Sequence, residues 1–408
     1  MANRFGVLRE VIAGRPISRQ EIAASTGLSL ATVSTLIGEL LNFGVVAETG
    51  FADSGGGRPR GLVTVNRADA RLVGVDIAET YVHTELFNLG LDVIATDEEE
   101  VRPSETDPGQ IVSHVVSGVR SVLSGVAAET VLGVGVSVPG QVQRESGVSV
   151  FAPNWNWHDV PLQTLLSQHL DLPLHLDNPL KASTAAELWF GAGKSRDNVV
   201  VVTLGTGVGA GIAMDGSLYR GETNSAGEWG HTTLVLGGRS CHCGANGCVE
   251  TYVGAPGIMQ HLRELDPRSP LLHPHDQTAT IDSLAHALKI GDQVAVKTVR
   301  ETARYLGAAV ACLINLLNPG VVVLSGWVAA RLGSPLLDEI RDVLARHTLQ
   351  RPLRAVEIEL SPLASNPVSL GAATFALEAM LAAPHRLPWS RGRAHPGQGA
   401  LARHTLNA

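Results

Sequence analysis

Apolar and polar positions change their period along this chain, and the changes divide it. Up to about residue 45 the apolar positions follow a helical repeat. A first helix is expected from about residue 4 to 13, where Gly14 and Pro16 stop it. Ser18-Arg-Gln-Glu21 reads as a capping box opening a second helix, the serine and the glutamate satisfying each other's orphan amides. Gly27 breaks that helix. Ser29 is then a fitting N-cap for a third, with Leu30, Val33, Ile37, Leu40 and Leu41 along one face as core. Its opposite face, Ala31, Thr32, Thr35 and Glu39, is small and polar, as a helix entering the DNA major groove requires. After Gly44 the period becomes that of strands. Runs 45–49 and 62–66, joined by a Gly- and Arg-rich turn, read as a two-stranded wing with Arg58 and Arg60 at its tip.

From residue 72 the pattern becomes strand, turn, strand (72–78, 82–88), then a helix around 110–123, then the strand 131–138 ending at Pro139-Gly140. Such alternation predicts a mixed α/β sheet. A second set begins at 199–212, where Gly205, Gly207, Gly209 and Gly211 let the backbone approach something closely, a phosphate or its own tight turn. Residues 368–383 read as a closing helix. The Pro-, Gly- and Arg-rich residues 384–408 have no apolar period and are expected to be a disordered tail.

The composition, 44% hydrophobic and 17% charged, is that of a folded chain, and 408 residues exceed one ordinary core. The expected domains are 1–70, a winged helix-turn-helix, and 71–383, an α/β body. Apolar runs are strand-length, far short of the roughly 20 residues a bilayer needs, and the opening residues lack a signal-peptide core, so cytoplasmic residence is expected. A formal charge of −8 argues against nucleic acid on its face. Residues 1–67, however, hold seven Lys/Arg against five acids, a surplus of two that leaves −10 for the remainder. A mildly basic head on an acidic body confines any DNA contact to one end.

Three of the four cysteines, Cys241, Cys243 and Cys248, fall within eight residues and follow His231. One imidazole and three thiolates make the ligand set of a closed tetrahedral zinc site, with no position left for substrate. One structural zinc ion per chain is expected, with His242 a competing ligand of poorer geometry. Cys312, alone among apolar neighbours, reads as a small buried hydrophobe.

These segments resemble the ROK family of repressors, uncharacterised open reading frames and sugar kinases. The likeness runs from about residue 4 to 382, through GEWGH, CHCGANGCVE, SVPGQV, APNWNWHDVPL and the wing's GGGRPR. It implies a two-lobed, actin-like (sugar kinase or ribonuclease H-like) body with sugar bound in the cleft. Carried over by position, it implies that Glu228, His231, Glu250 and Asn178, with Gly140 and Asn154, face the sugar. Kinases of the family take the hydroxyl proton with an aspartate eight positions ahead of a helix glutamate. Here that glutamate is Glu187 and the base position is Pro179, with Asp177 two residues off. The first phosphate loop, Asp-x-Gly-Gly-Thr in the family, is Asp76-Ile-Ala-Glu79-Thr80, and Trp327 replaces a glycine at the adenosine segment. The implied protein has lost kinase activity and has no catalytic residue. It is a regulator, a repressor, that reads double-stranded operator DNA through Ser29, Thr32, Thr35, Arg58 and Arg60 as a homodimer or homotetramer, and answers to a sugar or amino-sugar-related effector. The competing expectation is a glucokinase or N-acetylhexosamine kinase carrying a DNA-binding head.

Overall fold

The structure, a computed structural model, describes residues 2–12, 16–52, 60–68, 70–102, 104–194, 196–363 and 366–382. Arg58 and the expected tail lie outside the described residues. The head consists of α1 (Ala2–Ile12), β1 (Ile17–Ser18), α2 (Arg19–Thr26), α3 (Leu30–Asn42), β2 (Val46–Ala52) and β3 (Arg60–Val65). Both arms of the capping box form: the Glu21 amide donates to Ser18 Oγ at 3.3 Å and the Ser18 amide to Glu21 Oε2 at 2.9 Å. Gly27, at φ 68°, ends α2 in the left-handed region, and Ser29 caps α3. The wing gains a third strand that the sequence reading did not anticipate, since β1, which ends on the capping Ser18, pairs with β3.

Two expectations for α3 need correction. Val33, Ile37 and Leu40 are buried, but Leu30, the first helical residue, lies ahead of the turns that carry the buried stripe and is 47% exposed. Glu39, expected on the open face, is half-buried and paired with Arg4 of α1.

The first lobe follows as β4 (Arg71–Ile77), β5 (Tyr81–Asn88), β6 (Val93–Glu100), α4 (Pro108–Val122), β7 (Val131–Ser137), β8 (Gln141–Gln143), β9 (Val148–Ala152), β10 (Trp157–Val160), α5 (Leu162–Ser167) and β11 (Leu174–Asp177). Its main sheet has the order β11-β7-β4-β5-β6. After α6 (Pro179–Phe190) comes the second lobe: β12 (Val199–Leu204), β13 (Val208–Met214), β14 (Ser217–Leu218), α7 (Glu250–Val253), α8 (Ala255–Leu265), α9 (Gln277–Lys289), α10 (Gln293–Leu317), β15 (Val321–Ser325), α11 (Trp327–His347), α12 (Gln350–Ala355) and β16 (Glu357–Leu360). Its sheet reads β14-β13-β12-β15-β16. Each sheet is an antiparallel meander of three strands extended by two parallel ones, so the lobes share one topology. All residues of β7 and β15 are buried, as strands covered on both faces must be.

The chain then returns to the first lobe as α13 (Pro367–Ala382), packed on its sheet and on α6. Its backbone lies so close to its neighbours that side chains are excluded at the contacts. A Cβ on Gly74 would stand 2.0 Å from the Ser369 carbonyl oxygen, one on Gly135 1.8 Å from that of Ala372, and one on Gly371 1.8 Å from that of Ala182 in α6. Polar groups lock the start of the helix: Ser369 Oγ donates to Glu85 Oε2, and Asn366 Nδ2 donates to Asp76 Oδ2 at 2.8 Å. At the far end Arg4 donates to the Leu381 carbonyl at 2.8 Å and meets Glu39 at 2.5 Å. One hydrophobic core therefore runs from Val7, Ile37 and Val63 of the head into Ala373, Leu377 and Leu381 of α13 and Trp189 of α6. Among the described residues no single helix is long and apolar enough to cross a membrane.

These contacts separate two glycine substitutions. Gly135→Ala should lower stability in denaturant unfolding by about 1–3 kcal/mol, through overpacking that α13 cannot relieve. Gly6→Ala, in an open stretch of α1, should raise it by roughly 0.5–1 kcal/mol. Equal effects would mean that α13 is not held as described.

Candidate functional site

The sequence between β14 and α7 has few apolar residues, and the structure holds it by other means. Two glycines press its first turn onto β13: a Cβ on Gly227 would meet the Ala210 carbonyl at 2.1 Å, and one on Gly230 that of Val208 at 1.9 Å. The turn Glu228–His231 then points His231 Nδ1 at Cys241 Sγ, 3.6 Å away, while Cys243 Sγ and Cys248 Sγ are 3.7 Å apart. The four ligand atoms lie within 4.8 Å of one another. For a tetrahedral ion with metal–sulfur bonds of about 2.3 Å and metal–nitrogen bonds of about 2.0 Å, sulfurs sit about 3.8 Å apart and sulfur and nitrogen about 3.5 Å. The residues fit a metal ion. His242 is outside the cluster. Burial and the neighbouring thiols push the Cys248 thiol up to about 12; a bound cation reverses this, because coordinating thiols are deprotonated. Cys312 is exposed rather than buried, since that side of α10 faces solvent.

The metal cluster adjoins the residues expected to face sugar. Nδ1 of His231 belongs to the cluster, which leaves Nε2 free for a ligand. Glu250, at the start of α7, accepts from the Val208 amide at 3.0 Å and stands 3.9 Å from Cys241 Sγ, tying the metal loop to the hairpin between β12 and β13. Asn178 is the N-cap of α6, its Oδ1 accepting from the Lys181 amide at 3.1 Å. Glu228 is half-buried with its carboxylate toward Lys181. Asn154, on the other lobe, donates to Glu79 Oε1 at 2.7 Å. Gly140, at φ 86°, has a conformational reason for being glycine, because a Cβ would stand 2.0 Å from the Phe151 carbonyl.

Several members of this wall escaped the sequence reading. Lys181, whose only signal was a lone charge in an apolar helix start, is 2% exposed and donates to the Ala226 carbonyl at 2.7 Å, clamping the loop before Glu228 onto α6. Burial lowers its pKa. Arg220 Nε and Asn224 Nδ2 both reach Asp177, at 3.3 and 2.9 Å, and Asn224 also donates to the Val142 carbonyl of β8, so this cluster joins the two lobes.

At the positions where kinases of the fold do chemistry, the groups are otherwise engaged. Pro179 occupies the first position of α6, where a missing amide costs nothing. Asp177 is fully buried, with Oδ1 accepting from the Asn178 amide and Asn224 and Oδ2 from Arg220. Glu79 holds Asn154. The Trp327 indole lies over the hairpin, and a Cβ on Gly205 would be 3.1 Å from its Nε1. Gly209 and Gly211 sit within β13 rather than in the turn, and what approaches them is α6: added Cβ atoms would meet Leu180 at 2.4 Å and Thr184 at 1.6 Å. Asp76, expected only as a remnant of the phosphate loop, is 3% exposed, and burial raises its pKa to about 6 against hydrogen bonds from Asn366 and Tyr81.

On the head, Ser29, Thr32 and Thr35 lie at the start of α3 and Arg60 is exposed at the start of β3.

A family model described as the ROK family matches residues 72–379. A xylose repressor of Caldicellulosiruptor bescii is 30% identical over 388 residues, 94% of this chain and 97% of the relative. A crystal structure of a ROK family transcriptional regulator, homologous to the E. coli MLC protein, superposes with TM-score 0.76 at 25% identity over 93% of this chain and 97% of that one. A ROK family glucokinase from Streptomyces griseus, solved with glucose and AMPPNP, superposes with TM-score 0.67 at 29% identity over 76% of this chain and all of its own.

Metal analysis of the full chain should find about one ion per chain. Cys243→Ser should lose it and lower the unfolding midpoint, whereas Cys312→Ser should change neither; a metal-loaded Cys243→Ser protein would rule the cluster out. Asp76, with its folded pKa raised, binds its proton more tightly folded than unfolded, so its contribution to stability is present below about pH 4 and is lost as pH rises through about 6. Asp76→Asn should therefore be the more stable protein at pH 7–8, by on the order of 2 kcal/mol, with the gap closing as pH falls. A pH-independent difference would show that Asp76 stays ionised.

Proposed function

The chain belongs to the ROK family, and on that premise we propose that it is a DNA-binding transcriptional repressor whose kinase-like body senses a sugar or amino-sugar-related effector without phosphorylating it. The observation that carries the second half is the state of the base position. Pro179 has no acceptor, and the nearest carboxylate, Asp177, is spent on Arg220, Asn224 and the Asn178 amide. The comparisons support the first half: the repressor and the regulator align with head and body together, the glucokinase with three quarters of the chain.

In this reading residues 1–70 are the DNA-binding domain and 71–383 the effector domain. Glu228, His231, Glu250, Asn178 and Asn154 orient the ring hydroxyls, carboxylates accepting and amide or imidazole donating. Gly140 allows the close turn beside them. His231, Cys241, Cys243 and Cys248 would hold a zinc ion, whose role with four protein ligands would be structural. Its ligation through Nδ1 fixes the tautomer and direction of His231. Effector closing on a cleft with one wall in each lobe favours one lobe arrangement, and α13 carries that preference to α1 and α3. Operator binding is by a homodimer or homotetramer through Ser29, Thr32, Thr35, Arg58 and Arg60, on half-sites related by the symmetry of the assembly.

Full-length protein should shift DNA from upstream of its own gene in a gel, and one member of a sugar panel should change that shift. Calorimetry should show Glu228→Gln weakening that sugar about ten- to hundredfold, the worth of one or two hydrogen bonds to a charged group. ATP turnover with hexoses and N-acetylhexosamines should be absent. Sugar phosphorylation abolished by Asp177→Ala would overturn the assignment of the base position.

A further inference from the structure

The exposed face of α3 has an unusual chemistry for a recognition helix: its hydroxyls at Ser29, Thr32 and Thr35 already make hydrogen bonds within the protein. Ser29 Oγ accepts from the Thr32 amide at 3.1 Å and shares a hydrogen bond with Thr32 Oγ1 at 2.8 Å. Thr35 Oγ1 donates back to the Ala31 carbonyl at 3.1 Å. Glu39 is taken by Arg4, and Arg19, across the turn, by Glu48. The helix carries no Lys, Arg, Asn or Gln short of its final residue, Asn42. What is exposed is Leu30 at 47%, Ala31, Thr35 and Ser34, whose hydroxyl has no partner among the described residues. Gly38, one turn further on, adds no side chain, and a Cβ there would meet nothing within 4 Å.

Resting on the reading of α3 as the recognition helix, we propose that its base readout is apolar: Leu30, Ala31 and Thr35 select the C5-methyl groups of thymines in the major groove. The bidentate pairings that single out guanine or adenine need Arg, Lys, Asn or Gln, and this face has none. Thymine is the base whose major-groove edge offers a methyl group, and Ala and Thr methyls are groups that meet it. With Glu39 neutralised, no free carboxylate on the face opposes the phosphates, and Arg60 stands exposed on the adjoining wing to contact them. Phosphate contacts therefore set position and affinity, and methyl contacts set sequence.

The test uses full-length protein and in vitro selection from random DNA duplexes. Enriched half-sites should contain thymine runs. Deoxyuridine in place of thymidine, which removes only the methyl group, should weaken binding about fourfold per contacted base, from the roughly 0.8 kcal/mol of one buried methyl-sized group. Leu30→Ala should weaken binding to the thymidine duplex and leave the deoxyuridine duplex nearly unchanged, the non-additivity expected of a direct contact. Leu30 is exposed, so that variant keeps its fold. Enriched sites that bind equally with deoxyuridine overturn the apolar readout alone, as do sites in which 7-deazaguanine abolishes binding. Enrichment of no sequence overturns the readout and the repressor reading together.

Discussion

The backbone-to-backbone approach of α13 to its neighbours organises this molecule. Gly74 and Gly135, on adjacent central strands of the first lobe, and Gly371, facing α6, remove the side chains that would hold the helix off. Close approach of that kind leaves little room for the helix to slide, because packed interiors move between discrete arrangements. The same helix is locked to the first lobe through Asp76 and Glu85, and to the head through Arg4 at its last turn. Glu187 of α6 accepts from Ser361 and the Ala192 amide, fixing the strand end from which the chain crosses back. Lobe arrangement and head orientation thus meet on one element.

The cleft of this fold is lined by buried charges that pair with one another. A buried carboxylate without a partner is costly, and Asp177 is not left without one. Arg220 and Asn224 take it up, and Asn224 extends the link to β8. Lys181 sits near Asp177 and Glu228, which puts a cation beside two acids in a half-closed space. Burial, with a smaller push from the Arg220 charge, drives its pKa down, and the neighbouring carboxylates oppose that. A buried network of this kind is stable when each member is satisfied, and it specifies one geometry for the wall that carries Asn178 and Glu228. Trp327 over the hairpin and Glu79 beside Asn154 show the same economy on the nucleotide side.

Local signals in the sequence were dependable. The Ser18–Glu21 box, the Ser29 cap, the left-handed Gly27, the strands 72–78 and 131–138, and the spacing of His231 with three cysteines all act through neighbours within a few residues or a fixed ligand chemistry. Where the reading failed, the cause lay at a distance. Val93–Glu100, rich in acids, forms a strand because it is an edge paired with β5 and half open to solvent. Leu30 matched the apolar stripe of its helix, yet only the placement of neighbouring elements decides which turn of a stripe is covered. Gly209 and Gly211 were read as allowing a close approach, and only the packing shows that what approaches them is α6.

Sequence by itself therefore determined most of the element types, the family and the grouping of His231 with three cysteines, since each is written in residue identity and short spacing. Only the tertiary structure decided which charges meet: Lys181 with the Ala226 loop, Asp177 with Arg220, Arg4 with Glu39 and Leu381. Those pairs span from 35 to 377 residues of chain, and no local propensity encodes them. They arise when two sheets of one topology and a returning helix pack together, and burial then favours charges that find a partner.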